Sequence, residues 1–267
     1  MPAAFVTALA FLAASALTAQ VTRVAPSYSA ATIVNAASGD PNTLAPYTII
    51  QINGANLAWA PYTMQPSDIN GFTIPTVLPN TGVHVSINNE AAGVLSVSPN
   101  QLTVLVPGDL IPGPATLRTI LDGLTGPAVQ VNLSPFGPGI MTNSDGTLAA
   151  TLPDGTPVSA ATPAAPGAAI VFQAVGLGQS NPPLLGLQVP GSSLALDGGT
   201  RVLVYLNGSP IDPGYVSSVS LVAGQAAMYQ QTIQIPLNAP ANPTLQISAN
   251  GIVSAPGLVV PVQLPSQ

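Results

Sequence analysis

The sequence predicts an all-β protein that consists of two consecutive β-sandwiches, and three observations support this prediction. The chain of 267 residues contains 30 prolines and 25 glycines, and after the first twenty residues they interrupt every window that could keep a helical apolar period. Short β-branched runs with alternating apolar and polar residues recur instead, separated by Gly, Pro, Asn and Asp. Several of these runs occur twice in the same order, which indicates an internal repeat.

The predicted strands begin with Thr48–Asn53, a β-branched run bounded by turn residues. In the run Val83–Ile87 the apolar residues would face one side of a sheet and His84 the other. The remaining predicted strands have the same character: Leu102–Val106, Ala115–Leu121, Ala128–Leu133, Ile170–Val175, Arg201–Leu206, Val216–Val222, Thr232–Ile235, Leu245–Ser248 and Leu258–Leu264. Short strands at such even spacing are typical of β-sandwiches.

The internal repeat divides the chain into two halves. Its matching segments are Val83–Asn89 with Val202–Gly208, Gln101–Pro107 with Gln230–Pro236, and Thr116–Gly123 with Thr244–Gly251. The last pair ends in Asp-Gly and Asn-Gly, dipeptides that supply the positive φ angles of a tight hairpin. We predict a linker at 20–29, one sandwich at 30–134 and a second at 135–267. The Pro-containing bend Ser134–Gly139 between them is stiff, so we expect a fixed mutual angle.

Residues 1–19 predict a secretory signal peptide, because apolar residues fill the run Pro2–Ala19 and small ones its end. The alternative is a transmembrane anchor, which usually needs about 20 uninterrupted apolar residues. Thr7, Ser15 and Thr18 interrupt this run. Pro or Gly breaks every later apolar run, so we expect no membrane span after removal of the signal peptide. The predicted location is extracellular: secreted, or associated with the cell surface.

The composition excludes several classes of function. Charged residues make up 4% of the chain, and nine acids oppose three arginines with no lysine. Nucleic-acid binding is excluded, because it requires cations that neutralise phosphates. The chain has no cysteine and one histidine, which excludes disulfides and thiolate metal sites. Asn143–Thr147 surrounds a turn with oxygen side chains but lacks the alternating acids of a calcium loop. We therefore predict no metal and no cofactor.

Seven segments of the sequence resemble a known family: Val34–Ser38, Ile52–Ala58, Ser98–Pro107, Pro138–Met141, Thr162–Gly167, Val175–Gly178 and Tyr229–Pro236. On these segments the chain resembles the Solibacter-type uncharacterised C-terminal domain family, abundant in secreted acidobacterial proteins, over about residues 30–264. The resemblance implies two tandem immunoglobulin-like domains of the IPT/TIG type. It implies no activity and no catalytic residues, since the family has none established. Thr103 and Thr232 depart from the family's Asn, and Met141 from its Phe.

The ionisable residues do not predict catalysis, and we expect no enzyme. His84, the single histidine, lies on the predicted polar face of its strand, where the water-excluded site of a Ser-His-Asp triad does not form. Four aspartates directly precede glycine, as turn residues do. They are Asp122, Asp145, Asp154 and Asp197. We therefore expect these carboxylates to stabilise turns rather than to form a hydrolytic pair.

The best candidate for a ligand site is the loop Ala58–Pro79, which carries Trp59, Tyr62 and Phe72. Aromatic rings combine a large apolar face with, in Trp and Tyr, a polar group, so the loop predicts a binding platform. The structural alternative is that the three rings cap the end of a sandwich.

Together these observations predict a secreted, non-enzymatic structural or interaction module at the cell surface or in the extracellular matrix. Its expected partner is an extracellular protein or a glycan. One alternative is a self-assembling filament subunit, because the strand edges lack the lysines that usually block edge pairing. We expect Pro107, Pro236 and Pro261 to protect these edges instead. The other alternative is a carbohydrate-binding domain that uses the Trp59–Phe72 loop.

Overall fold

The computed structural model describes residues 23–217 and 219–263, so the predicted signal peptide lies outside the described residues. Within these ranges all regular structure consists of β-strands and three short 3-10 helices, Ala30–Thr32, Pro66–Asp68 and Pro213–Tyr215. The strands form four antiparallel sheets, which confirms the predicted all-β, sandwich-type fold. In the part of the chain that is described, every helix is too short to cross a membrane.

The first sandwich is built from ten strands: β1 (Ile33–Asn35), β2 (Ile49–Asn53), β3 (Tyr62–Thr63), β4 (Val83–Ile87), β5 (Glu90–Ala91), β6 (Gly93–Val97), β7 (Gln101–Leu105), β8 (Gly113–Leu121), β9 (Leu124–Thr125) and β10 (Val129–Leu133). One sheet has the order β1-β2-β7-β6-β3 and the other the order β10-β8-β4-β5, with β9 paired to β8. The longer strands thus follow the immunoglobulin pattern, in which a sheet of strands A, B, E and D faces a sheet of strands C, F and G. Here β1, β2, β7 and β6 take the places of A, B, E and D, and β4, β8 and β10 take those of C, F and G.

The second sandwich repeats this arrangement with twelve strands: β11 (Gly139–Ile140), β12 (Ala150–Thr151), β13 (Ala169–Val175), β14 (Ser180–Asn181), β15 (Leu194–Leu196), β16 (Val202–Leu206), β17 (Ser209–Pro210), β18 (Ser220–Leu221), β19 (Tyr229–Gln234), β20 (Thr244–Ala249), β21 (Ile252–Val253) and β22 (Leu258–Val259). One sheet has the order β11-β13-β19-β18-β15-β14, and β12 also pairs with β13. The other has the order β17-β16-β20-β21, and β22 also pairs with β20.

The repeated sequence segments occupy equivalent strands in the two sandwiches. They form β4 and β16, β7 and β19, and β8 and β20. Asp122 after β8 and Asn250 after β20 have φ angles of 46° and 45°, as the Asp-Gly and Asn-Gly dipeptides predict for tight hairpins. His84 is exposed between buried neighbours on β4, also as predicted. The segment between β10, which ends at Leu133, and β11 contains the predicted domain boundary.

Several local predictions are wrong. The predicted strand Val216–Val222 is a strand only at β18, and the predicted strand Leu258–Leu264, as far as it is described, is regular only at β22. Pro107 and Pro236 follow β7 and β19, which lie in the middle of their sheets, so they end central strands and protect no edge. Part of the predicted linker belongs to the first sandwich, because Tyr28 donates a hydrogen bond to Pro127 O (2.6 Å) and accepts one from Thr119 N (2.8 Å).

The two sandwiches share an apolar core at their junction. Tyr47, Ile74 and Leu105 of the first sandwich pack into the core cluster of the second. The buried Tyr47 hydroxyl donates a hydrogen bond to Gln188 O at 2.8 Å. Burial raises the pKa of Tyr47 to about 12. Burial, with Tyr47 nearby, also raises the pKa of Tyr229. The junction is therefore packed like a protein interior rather than like a flexible hinge.

Backbone hydrogen bonds cross the same junction. Ile74 N donates to Leu187 O at 3.0 Å, and Val189 N donates to Phe72 O at 2.7 Å. These bonds pair an extended piece of the 58–79 loop with the second sandwich. Together with the shared core they fix one sandwich relative to the other.

Asn35 holds the start of the first sandwich to the connection between the two. Its side chain is fully buried, and its Nδ2 donates to Thr43 O (3.0 Å) and to Gly137 O (2.8 Å). Its Oδ1 accepts from the backbone N–H groups of Ala37 (2.9 Å) and Ser38 (3.3 Å). One amide side chain therefore satisfies four backbone groups on both sides of the junction.

Candidate functional site

The structure separates the three aromatic residues that the sequence groups as a ligand site. Tyr62 lies on β3 and pairs with Val97 of β6, whereas the carbonyl of Phe72 is bonded to the second sandwich. Tyr62 thus lies beside Val97, whereas the chain just after Phe72 reaches the other end of β6, where Pro75 O accepts a hydrogen bond from Val94 N at 2.8 Å. Val97 and Val94 are about 10 Å apart at the usual rise per residue. Trp59 lies beyond the Val97 end. Each of the three rings therefore has its own protein contacts, and a platform shared by all three stays a prediction.

Trp59 is 43% exposed but already has protein partners. Its Nε1 donates to the Asp122 carboxylate at 2.7 Å, and the guanidinium of Arg23 lies 5.4 Å from the ring centroid. Arg23 and Asp122 are 3.9 Å apart. These contacts match the alternative in which an aromatic side chain caps the end of a sandwich. That Trp59 binds a ligand stays a prediction.

Phe72 and Tyr62 have separate local environments. Phe72 is 64% exposed, and one edge of its ring lies against Gly191 of the second sandwich. The Tyr62 hydroxyl donates to Asp68 at 3.0 Å, a contact within the same loop. Ligand binding by either residue stays a prediction, and the two would contact a ligand at different places.

The second sandwich carries a groove of about 980 Å³. One wall is the insert 141–163, which follows β11, contains β12 and leads to the segment before β13. The other wall is the chain around β22, including Val259 and Pro261. Part of the floor is the outer face of β13 and β19, where Gln173 and Gln230 are paired neighbours. We call this surface the A–G groove; it lies between the insert that follows the first strand of the sandwich and the chain around its last strand, β22.

Turns stabilised by aspartate shape the insert. Asp145 accepts hydrogen bonds from the hydroxyl (2.6 Å) and N–H (3.0 Å) of Thr147, and Asp154 accepts one from Thr156 N at 2.9 Å. These hydrogen bonds lower the pKa of both carboxyl groups. Both aspartates thus have the turn role that the sequence predicts. In residues 23–217 and 219–263, no three His, Cys, Asp or Glu side chains converge as metal ligands would.

The chemistry of the A–G groove is that of a neutral binding surface. Asp145 is the one charged residue in its lining, and the other polar groups are amides and hydroxyls such as Gln173, Gln230 and Ser159. Apolar contact is available from Val259, which is 43% exposed, whereas Phe172 in the floor is fully buried. The groove can therefore hydrogen-bond and cover an uncharged extended ligand, without a stacking ring for a sugar.

Sequence reasoning missed this groove for a physical reason. Its walls come from segments about a hundred residues apart, and it contains no cluster of charged or aromatic residues. The available signal was the repeat itself. Leu44 of the first sandwich and Ala164 of the second occupy equivalent places, because each hydrogen-bonds the chain just after the final strand of its sandwich, at Ser134 and at Pro261. The chain before Ala164 is the long insert 141–163, whereas the chain before Leu44 is the much shorter segment 36–43.

Comparison with known proteins gives weak structural similarity and no sequence match. No family model and no curated protein matches the chain. The surface glycan-binding protein PbSGBP-B from Prevotella bryantii is 10% identical, with a TM-score of 0.27, over 80% of this chain and 36% of that one. The γ-CGTase from Alkalophilic bacillus clarkii is 12% identical, with a TM-score of 0.27, over 89% and 26%. The extracellular region of plexin A4 is 9% identical, with a TM-score of 0.29, over 92% and 16%. The chain thus spans well under half the length of each, and similarity at these scores supports no functional assignment.

Proposed function

We propose that this protein is a secreted, non-enzymatic interaction module of the Solibacter-type family, acting at the cell surface or in the extracellular matrix. The A–G groove is its binding surface, and the fixed pair of sandwiches is the support that presents it. Its ligand is an uncharged extended polymer, either a glycan or a polypeptide segment. The observation that carries this proposal is the insert 141–163, which builds a wide, nearly charge-free groove on one copy of a repeated fold.

The arrangement of polar groups supports binding rather than chemistry. Asp145 and Asp154 are held by their own turns, and His84 is exposed on a different sheet. Gln173 and Gln230 lie side by side on an outer sheet face at the groove floor, where Gln173 Nε2 also donates to Gln225 Oε1 at 3.3 Å. Amide and hydroxyl groups exchange hydrogen bonds with water for bonds to a neutral ligand without the desolvation penalty of a buried charge.

Two valines on the same sheet provide the test. Val259 lines the groove and Val253 does not, yet they are 43% and 41% exposed. Val259→Glu should weaken retention on the polymer that the wild-type protein binds by about ten-fold or more, because a second carboxylate then has to be desolvated in the groove. Val253→Glu is the matched control and should bind normally.

The assay measures retention of the full-length protein and both variants on a panel of neutral polysaccharides and uncharged peptides. Release of reducing sugar or cleavage of an ester substrate is followed in the same samples. Equal loss of binding in both variants would contradict the groove as the binding surface. Retention on none of the uncharged polymers would contradict the proposed ligand class, and turnover of any substrate would contradict a non-enzymatic role.

A further inference from the structure

We propose that strand β10 is a self-association site: it pairs edge to edge, antiparallel, with β10 of a second copy and joins two first sandwiches through one continuous sheet. This inference is independent of the A–G groove, which lies on the other sandwich. The partner is a second copy of this chain, and the contact is a two-fold symmetric pair of β10 strands.

The direction of the backbone groups on β10 follows from the neighbouring strands. Thr116 of β8 exchanges hydrogen bonds with Asn88 on the β4 side, through Asn88 N to Thr116 O (3.0 Å) and Thr116 N to Asn88 Oδ1 (2.9 Å). The backbone of Thr116 therefore cannot bond the backbone of its cross-strand neighbour on β10, Gln130, whose side-chain Nε2 donates instead to Thr116 Oγ1 at 2.7 Å. Because backbone groups alternate in direction along a strand, the N–H and C=O of Gln130 and Asn132 point away from β8.

These four outward-pointing groups face an open slot. The slot has a volume of about 590 Å³ and lies between β10 and two short segments that include Ala31 and Asn42. Among the described residues, no backbone or side-chain group bonds the main chain of Gln130 or Asn132 on this side. The strand also lacks proline, charge and lysine, the usual devices that block edge pairing.

The second sandwich shows what a covered edge looks like in the same position. There the final strand segment contains Pro261, which has no N–H, and its carbonyl accepts from Ala164 N at 2.9 Å. Gln263 N donates to Ala164 O at 2.9 Å, so the chain itself covers this edge. In the first sandwich the equivalent contact is one bond, Ser134 N to Leu44 O at 2.7 Å, which lies past the end of β10.

The sequence of β10 is self-complementary when the two-fold axis passes through Val131. Gln130 of one copy then lies opposite Asn132 of the other, and the two pairs exchange four backbone hydrogen bonds. Gln130 and Asn132 are exposed, so their side chains lie on the outer face of this pair, where Gln130 Nε2 donates to Thr116 Oγ1 of its own copy. Val129 lies opposite Leu133, and the two Val131 side chains meet on the inner face, so apolar residues oppose apolar ones.

This geometry produces a dimer and not a filament. An isologous two-fold contact uses the same edge on both copies, so it closes and leaves no further β10 edge. A contact of five residues per copy is smaller than the roughly 1,000 Å² of a strong specific interface. We therefore expect reversible association, with a dissociation constant in the micromolar to millimolar range.

Cysteine cross-linking tests the register of the β10 pair, because the protein has no other cysteine that could form a competing disulfide. Two Val131 residues form a pair without backbone hydrogen bonds, for which the Cα atoms lie about 4.5 Å apart, within the range for a disulfide. Val131→Cys should give a disulfide-linked dimer under mild oxidation. Val129→Cys is the matched control: it is half-buried on the same face, but its symmetry mate lies four residues away along the strand. We expect about ten-fold more dimer from Val131→Cys.

Sedimentation of the full-length protein up to about 1 mM tests the association itself. The wild-type protein should approach twice the monomer mass of 26.6 kDa and stop there. Asn132→Pro removes an outward N–H, and Asn132→Lys places a charge at the edge, so both should stay monomeric, whereas Asn132→Thr should still dimerise. A monomer at every concentration, growth beyond a dimer, dimers of Asn132→Pro, or equal cross-linking of the two cysteine variants would each overturn the proposal.

Discussion

Asn35→Ala tests whether one buried amide holds the two sandwiches together. The variant removes two donated hydrogen bonds, to Thr43 O and Gly137 O, and two accepted ones, from the N–H groups of Ala37 and Ser38. Each contributes about 1 kcal/mol net, and the groups left behind lie in a fully buried environment. We expect the free energy of unfolding to fall by about 3–4 kcal/mol, which lowers the melting temperature of a chain of this size by about 10 °C.

Asn35→Asp separates hydrogen bonding from packing, because it keeps the shape and the two accepted bonds. Its carboxylate would face the carbonyl oxygens of Thr43 and Gly137, so its pKa in the folded protein would rise above its unfolded value. The stability of this variant is then greatest at low pH and falls as the pH rises through the unfolded-state pKa of about 3.9. Urea unfolding at pH 3 and pH 7 measures both effects. A loss below about 1 kcal/mol for Asn35→Ala would refute the reasoning.

Three further variants probe the junction and the capped tryptophan. Gly176→Ala should reduce the melting temperature far more than Gly155→Ala: both glycines have positive φ, but a Cβ at 176 overlaps a backbone carbonyl whereas one at 155 meets open space. Since burial raises the pKa of Tyr47 to about 12, Tyr47 alone should lower the unfolding free energy by up to about 1.4 kcal/mol per pH unit as the pH rises from 10 to 12. The raised pKa of Tyr229 adds to this slope, so Tyr47→Phe should reduce the slope in urea titrations without abolishing it. Asp122→Gly, which removes the carboxylate but tolerates the positive φ at this position, should make the fluorescence of Trp59, the single tryptophan, more accessible to acrylamide with little change in stability. Unchanged quenching would contradict the capped geometry.

The repeated strands could be predicted because alternation and turn dipeptides act locally. The run Val83–Ile87 alternates strictly between buried and solvent-facing positions, and it is strand β4. Strand β6 was not predictable in this way, because a bulge between Val94 and Ser96 shifts its register against β7. Strands of two residues, such as β17 and β21, carry too short a pattern for any periodicity.

The site could not be predicted to the same extent, because it depends on contacts between distant segments. Trp59 and Phe72 are close in sequence, but Trp59 contacts Asp122 of the first sandwich, whereas Phe72 lies against Gly191 of the second. Asn35 lies within Val34–Ser38, one of the segments that carry the family resemblance, yet from the sequence it looks like an ordinary turn residue. Its bond to Gly137 becomes visible only when the second sandwich is in place.

The apolar core that the two sandwiches share also limits how the chain can be recombined. The two sandwiches are not independent units, because Tyr47, Ile74 and Leu105 of the first pack into the core of the second. A recombination event that cut the chain at residue 135 would leave these side chains facing water on one product. The smallest unit that keeps these side chains buried is therefore the pair, and a recombined chain should carry both halves together.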